Sequence, residues 1–228
     1  MSYPPNRIVP AVLTENPTAL VTMLEEAAKF TDWVQIDIMD GVFVPSKSIS
    51  IKDITKANIK IGWEAHLMVE NPEIYVEEFC LAGVKRIVVH FEAVKERAAD
   101  IIDTIKSMGV GAGLAVNPET PVSALKPELV KRLDSVLFLA VNPGFYGAKF
   151  IPEVLEKICS FRGLYPEMLI GIDGGIKSTN VAAAAGCGVN EICVGSAVFS
   201  QPDPGLSYKE LNRLAEPGWA ESRTSACA

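Results

Sequence analysis

The chain has 228 residues, enough for one large domain or two small ones, and α/β barrels commonly occupy about 200 to 250 residues as a single unit. Apolar residues make up 49% of it and are broken by charges every few positions, so no run reaches the roughly 18 residues that cross a bilayer. A net charge of −7 carries no electrostatic footprint for nucleic acid and on average repels an anionic substrate, so any phosphate has to be held by local features such as backbone amides or a metal.

The opening stretch MSYPPNRIVP lacks a basic segment followed by an apolar run and a small-residue cleavage site, which points to the cytoplasm. Cys80, Cys159, Cys187, Cys193 and Cys227 are scattered and include no C-x-x-C pair, so they read as reduced thiols rather than a disulfide framework or a zinc-thiolate site.

In chain order, RIVPAVL (7–13) opens a series of eight runs rich in Val, Ile and Leu. PTALVTMLEEAAKF (17–30) follows with helical spacing and Pro17 at its start, then WVQIDIM (33–39) and GWEAHLMV (62–69). NPEIYVEEFCLAG (71–83) reads as a helix entered at Pro72 and closed by Gly83, before KRIVVHFE (85–92). VKERAADIIDTIKSMG (94–109) is amphipathic and ends at Gly109. GAGLAVN (111–117), SVLFLAVN (135–142), the helical IPEVLEKICSFRGLY (151–165), MLIGIDGG (168–175), a helix end at Gly186 and EICVGSAVF (191–199) complete the pattern. Near-continuous apolar strands alternating with amphipathic helices imply a parallel sheet covered by helices, and eight repeats close into a (β/α)₈ TIM barrel. An open doubly wound sheet would place G-x-G-x-x-G after its first strand, and that fingerprint is absent. The expectation is one barrel domain over 1–228. The pattern weakens from about Pro202, and a flexible tail is expected from about residue 213.

Active sites of such barrels lie at the C-terminal ends of the strands. The polar residues expected there are Gln35, Asp37, His66, His90, Glu92, Asn117, Asn142 and Asp173. Period-two alternation puts Gln35 and Asp37 on one side of their strand, with Val34, Ile36 and Ile38 on the other, so the polar pair points into the barrel mouth. His66 and Asp173 are placed to converge with them. His90 and Glu92 read as supporting or structural, and Asp40 as a turn former before Gly41. Three consecutive strand-end loops, NPGFYG (142–147), DGGI (173–176) and VGSAVF (194–199), are rich in small residues that expose backbone N–H groups to a phosphate.

The ordered strings IDIMDGVFVP, AHLMVENPE, HFEA, GLAVNPETP, AVNPGFYGAKF, IDGGI and VGSAVF resemble the successive signatures of the ribulose-phosphate 3-epimerase family, from about Ile8 to Phe199. The resemblance implies a ribulose-phosphate-binding type of barrel and an isomerase of carbohydrate metabolism, in the pentose phosphate pathway. Its reaction would be epimerisation of D-ribulose 5-phosphate to D-xylulose 5-phosphate at carbon 3. By the same resemblance, Asp37 and Asp173 are the acid/base pair and, with His66, metal ligands. Met39 and Met68 flank the reacting carbons, and Gly144, Gly147, Gly174, Gly175, Gly195 and Ser196 cradle phosphate. The implied cofactor is one divalent ion, zinc, manganese, iron or magnesium. The implied partners are a sugar phosphate and further copies of the chain, with neither nucleic acid nor membrane.

The sequence departs from the family pattern at Ala11, at Leu139 and Ala140, at Ser46, and at Tyr146 and Ala148. Above all, Gln35 stands where the resemblance expects a second histidine ligand. An amide oxygen is a neutral and harder donor, so weaker zinc binding or a shift toward manganese or magnesium is expected, with loss of the metal as the limiting case. Two alternatives stay open: a non-catalytic sugar-phosphate-binding relative, and a different isomerase or lyase reaction on the same barrel.

Overall fold

A computed structural model describes residues 6–144 and 148–216. Eight parallel strands hydrogen-bond in chain order into a closed barrel. They are β1 (Arg7–Val12), β2 (Trp33–Met39), β3 (Gly62–Met68), β4 (Arg86–His90), β5 (Gly111–Val116), β6 (Ser135–Leu139), β7 (Leu169–Asp173) and β8 (Glu191–Val194). The helices are α1 (Pro17–Ala27), α2 (Ile51–Ala57), α3 (Val76–Leu81), α4 (Phe91–Val94), α5 (Ala98–Ser107), α6 (Pro127–Val130), α7 (Glu153–Leu164), α8 (Val181–Gly186), α9 (Ser196–Phe199) and α10 (Pro204–Ala215). None of them is long and apolar enough to cross a membrane.

The strands are apolar on both faces because each face meets packed side chains. Val34, Ile36 and Ile38 lie outward in the large core between strands and helices, whereas Val9, Ala11, Val88, Ala115, Leu137, Leu139 and Cys193 form a separate cluster inside the barrel. Below that cluster, at the N-terminal ends of the strands, Arg86 donates to Glu64 at 2.5 Å and also to Glu191, with Arg7 on Glu191 at 2.5 Å. The Arg7 and Arg86 guanidinium carbons lie 5.1 and 5.5 Å from the Trp33 ring centre.

Local chemistry explains most boundaries. Asn16 caps α1, its side chain accepting from the Thr18 and Ala19 amides with Pro17 in the first turn. The run from Ser50 to Asp53 forms a capping box that starts α2, a helix absent from the periodicity reading although Ser-x-x-Asp signals it. The stretch 94–109 divides into the end of α4, a 3-10 turn and α5, with Lys95 at φ 44° between them. Gly83 and Gly109 end their helices at φ 86° and 74°, as expected. Gly186 does not: it is the last residue of α8, and Gly188, at φ 81°, takes the left-handed position. Of the tail expected from about residue 213, the first residues belong to α10, which runs through Ala215, 1% exposed and packed on the core, and residues 217–228 lie outside the described residues. Asp203 caps that helix through the Leu206 amide.

Candidate active site

The strand register brings the site together. Asp37 is paired with His66, and Asp173 lies between Leu139 on one side and Cys193 on the other, so carboxylates from β2 and β7 meet at the top of the barrel. The end of β2 is pinned by Ser48, whose hydroxyl donates to the Asp37 carbonyl and accepts from the Met39 amide. Asp40 serves the turn, its carboxylate accepting from the Val42 and Phe43 amides and from Glu70 across the mouth.

Gln35 lies beneath the carboxylates, fully buried. Its Nε2 donates to Asp37 Oδ1 and to Asp173 Oδ2, both at 2.9 Å, and lies 3.4 Å from His66 Nδ1. Its Oε1 accepts from the Cys193 thiol at 3.1 Å. His66 Nδ1 is 2.9 Å from Asp37 Oδ1 and 3.4 Å from Asp173 Oδ2. On the other edge of the ring, His66 Nε2 is 2.9 Å from His90 Nε2, and His90 Nδ1 is 3.4 Å from Glu92. Glu92 in turn accepts from Thr120 and from the Asn117 amide. A line of polar groups thus runs from the buried carboxylates to a partly exposed one.

The electrostatics follow from this packing. Burial alone would lower the His66 pKa, but hydrogen bonds to Asp173 and Asp37 and their charges outweigh it and raise it to about 10. Burial raises Asp37, and the neighbouring Asp173 charge adds to this against the hydrogen bond from His66. His90 goes the other way, lowered to about 4 by burial and by the charge on His66 in spite of Glu92. In metal-free protein, then, His66 carries the charge and His90 is the neutral acceptor. A raised folded pKa means that the stabilisation from His66 is complete below about pH 6.5 and is lost as pH rises through about 10. The stability difference between the chelator-treated chain and its His66→Asn variant therefore narrows across that window, as denaturant titrations at successive pH values would show.

Above these groups opens a cavity of about 420 Å³, large enough for a phosphorylated sugar. Asp37, Asp173, Met39 and Met68 line its floor, with Ala11, Leu139 and Cys193 beside them. Gly144, Gly174, Gly175, Gly195 and Ser196 line its rim. Glycine is required at 174, where φ is 105° and a Cβ would come within 2.5 Å of Val141 Cγ2. Tyr146 and Gly147 lie outside the described residues. Ser46, one of the departures, donates from its hydroxyl to the Gly144 carbonyl and so ties the loop after β2 to the loop after β6.

Not every strand-end residue joins the site. Asn142 is exposed, and the Asn117 amide serves Glu92. Conversely, sequence spacing did not reveal that His90 reaches His66, or that Cys193 holds Gln35. Alternation along β8 does carry part of the second signal, since Cys193 shares the inward face with Glu191.

Asp37, His66 and Asp173 each offer one donor atom, all within 4.8 Å of one another, and two carboxylate oxygens with an imidazole nitrogen suit a divalent ion. Gln35 is different: it presents N–H, not a lone pair, to the same point.

Comparison with known proteins decides the family. The model of the ribulose-phosphate 3-epimerase family matches residues 7–199. The chain belongs to this family. A cytoplasmic isoform of ribulose-phosphate 3-epimerase from Oryza sativa subsp. japonica is 34% identical over 219 residues, covering 92% of this chain and 94% of the rice protein. A ribulose-phosphate 3-epimerase from a Synechocystis strain is 38% identical over 208 residues, covering 86% and 88%. Among solved structures, KGPDC from Streptococcus mutans in complex with D-R5P superposes with a TM-score of 0.76 at 8% identity, covering 94% of this chain and 99% of that one. A 3-hexulose-6-phosphate synthase from Salmonella typhimurium does so with a TM-score of 0.74 at 14% identity, covering 93% and 100%. At those identities the likeness concerns the barrel alone, and the family membership rests on the closer sequences.

Proposed function

We propose that the chain epimerises D-ribulose 5-phosphate and D-xylulose 5-phosphate at carbon 3, with Asp37 and Asp173 exchanging roles as acid and base on opposite faces of the sugar. The observation that carries this reading is the pair of carboxylates from β2 and β7 at the floor of a sugar-sized cavity whose rim is glycine-rich. One carboxylate takes the proton from carbon 3, and the electron pair of that C–H bond passes into an enediolate. The other, protonated beforehand, delivers its proton to the opposite face. Burial that raises the Asp37 pKa suits it to arrive at the reaction protonated in one direction. Met39 and Met68 keep the reacting carbons away from water without competing for protons. Backbone amides at Gly174, Gly175, Gly195 and Ser196 receive the phosphate, which would reconcile an anionic substrate with an acidic protein.

A divalent ion held by Asp37, His66 and Asp173 would supply positive charge beside the developing oxyanion. With one nitrogen donor in that set, zinc binding is weakened and its lead over manganese or magnesium is reduced. The deciding experiment incubates the purified chain with D-ribulose 5-phosphate in deuterated water, with and without each metal, and follows exchange at carbon 3. Incorporation of deuterium with accumulation of the epimer is expected. Absence of exchange under every metal would overturn the epimerase reading.

A further inference from the structure

We propose that Gln35 is not a metal ligand but a hydrogen-bonding clamp that spans the two site carboxylates and competes with a divalent ion for them. The inference rests on the metal-site reading of Asp37, His66 and Asp173 and changes what the fourth position does. Three observations carry it. The Gln35 amide nitrogen is the atom shared by all three donors, at 2.9 Å from Asp37 Oδ1, 2.9 Å from Asp173 Oδ2 and 3.4 Å from His66 Nδ1. That nitrogen has two hydrogens, one for each carboxylate oxygen. The opposite end of the amide is held as well, because the buried Cys193 thiol donates to Oε1 at 3.1 Å.

The reversed amide would be unfavourable in metal-free protein. It would set Oε1 against two carboxylate oxygens, with His66 Nδ1, already 2.9 Å from Asp37 Oδ1, as the nearest donor at 3.4 Å, in a place fully closed to water, where poorly matched acceptors are costly. To admit an ion, both N–H bonds to the aspartates must break. The amide must then move aside, or rotate so that Oε1 faces the ion and Nε2 faces Cys193 Sγ. A histidine at this position would have offered a lone pair with no such exchange. Gln35 therefore holds the acid and base in register without a metal and weakens the hold on any metal that enters. Cys193 acts through Gln35 as a positioning residue.

The two accounts of Gln35 predict opposite signs. In metal-free protein titrated with Mn²⁺ and followed by electron paramagnetic resonance of the free ion, Gln35→Leu should bind Mn²⁺ about tenfold more tightly than the parent, the scale of one hydrogen bond to a charged group. Cys193→Ala should tighten binding less, and the Gln35→Leu/Cys193→Ala double variant should match Gln35→Leu alone, because the thiol has nothing left to orient. Should leucine at this position prevent folding, Gln35→Ala, which leaves room for water between the carboxylates, should shift affinity in the same direction. Weaker Mn²⁺ binding in the folded variants would make Gln35 a ligand and overturn the proposal. Unchanged binding would overturn it too, since no competition would exist. The titration uses metal alone, so its outcome stands apart from whether ribulose 5-phosphate is epimerised.

Discussion

Asp173→Asn is expected to lower kcat for epimerisation by about 10²- to 10⁴-fold, the range typical for removal of a positioned acid or base. The substitution keeps the size of the side chain and its place at the end of β7, where the backbone carbonyl of Asp173 still accepts from Ala140. What it removes is the capacity to take a proton from carbon. It also replaces one anionic oxygen facing Gln35 Nε2, so the amide loses half of its charged pairing. Deuterium exchange at carbon 3 separates the two aspartates. If each serves one face, Asp37→Asn and Asp173→Asn should each stop net epimerisation, while either variant can retain exchange from the substrate whose proton faces the surviving carboxylate. Turnover left intact in Asp173→Asn would refute the acid/base assignment.

The second large effect lies at the other end of the barrel. Arg86→Met should destabilise the chain by about 3–5 kcal/mol, because it leaves buried carboxylates without their cation. Glu64, Arg86 and Glu191 are only 2%, 8% and 4% exposed. Burial alone would lower the Arg86 pKa, but the two carboxylates hold it above its ordinary value, whereas burial raises Glu64 despite Arg86. Without the guanidinium, Glu64 and Glu191 face one another with Arg7 alone to answer them. The loss should ease as pH falls and Glu64 takes up a proton, since burial holds its folded pKa above the unfolded one. Urea unfolding at several pH values measures this. Turnover per folded molecule should stay near that of the parent, because stability rather than chemistry resides at the N-terminal ends of barrel strands.

The barrel was legible because its signal is local and repeated. The outward face of β2, Val34, Ile36 and Ile38, and the inward pair Gln35 and Asp37 follow from a period of two. Pro17 opens α1 and Gly83 and Gly109 close their helices for reasons confined to a few residues. Errors arose where a local cue had a neighbour with the same chemistry, as at Gly186 and Gly188, or where apolar positions were too sparse to display a period, as in α10. The ring of Asp37, His66 and Asp173 was readable too, since closure of eight strands carries every strand end to one mouth.

The sequence by itself therefore determined the architecture and the end of the barrel at which Asp37, His66 and Asp173 gather. Only the tertiary structure decided how they bind one another. Gln35 and Cys193 are 158 positions apart, and whether the amide turns its nitrogen or its oxygen to the carboxylates depends on that one thiol and two oxygens closing around it. The contact of His66 with His90 is of the same kind, set by ring orientation on adjacent strands rather than by spacing. Hydrogen-bond direction depends on ångström distances and on which partner has a proton to give, and a one-dimensional pattern carries neither.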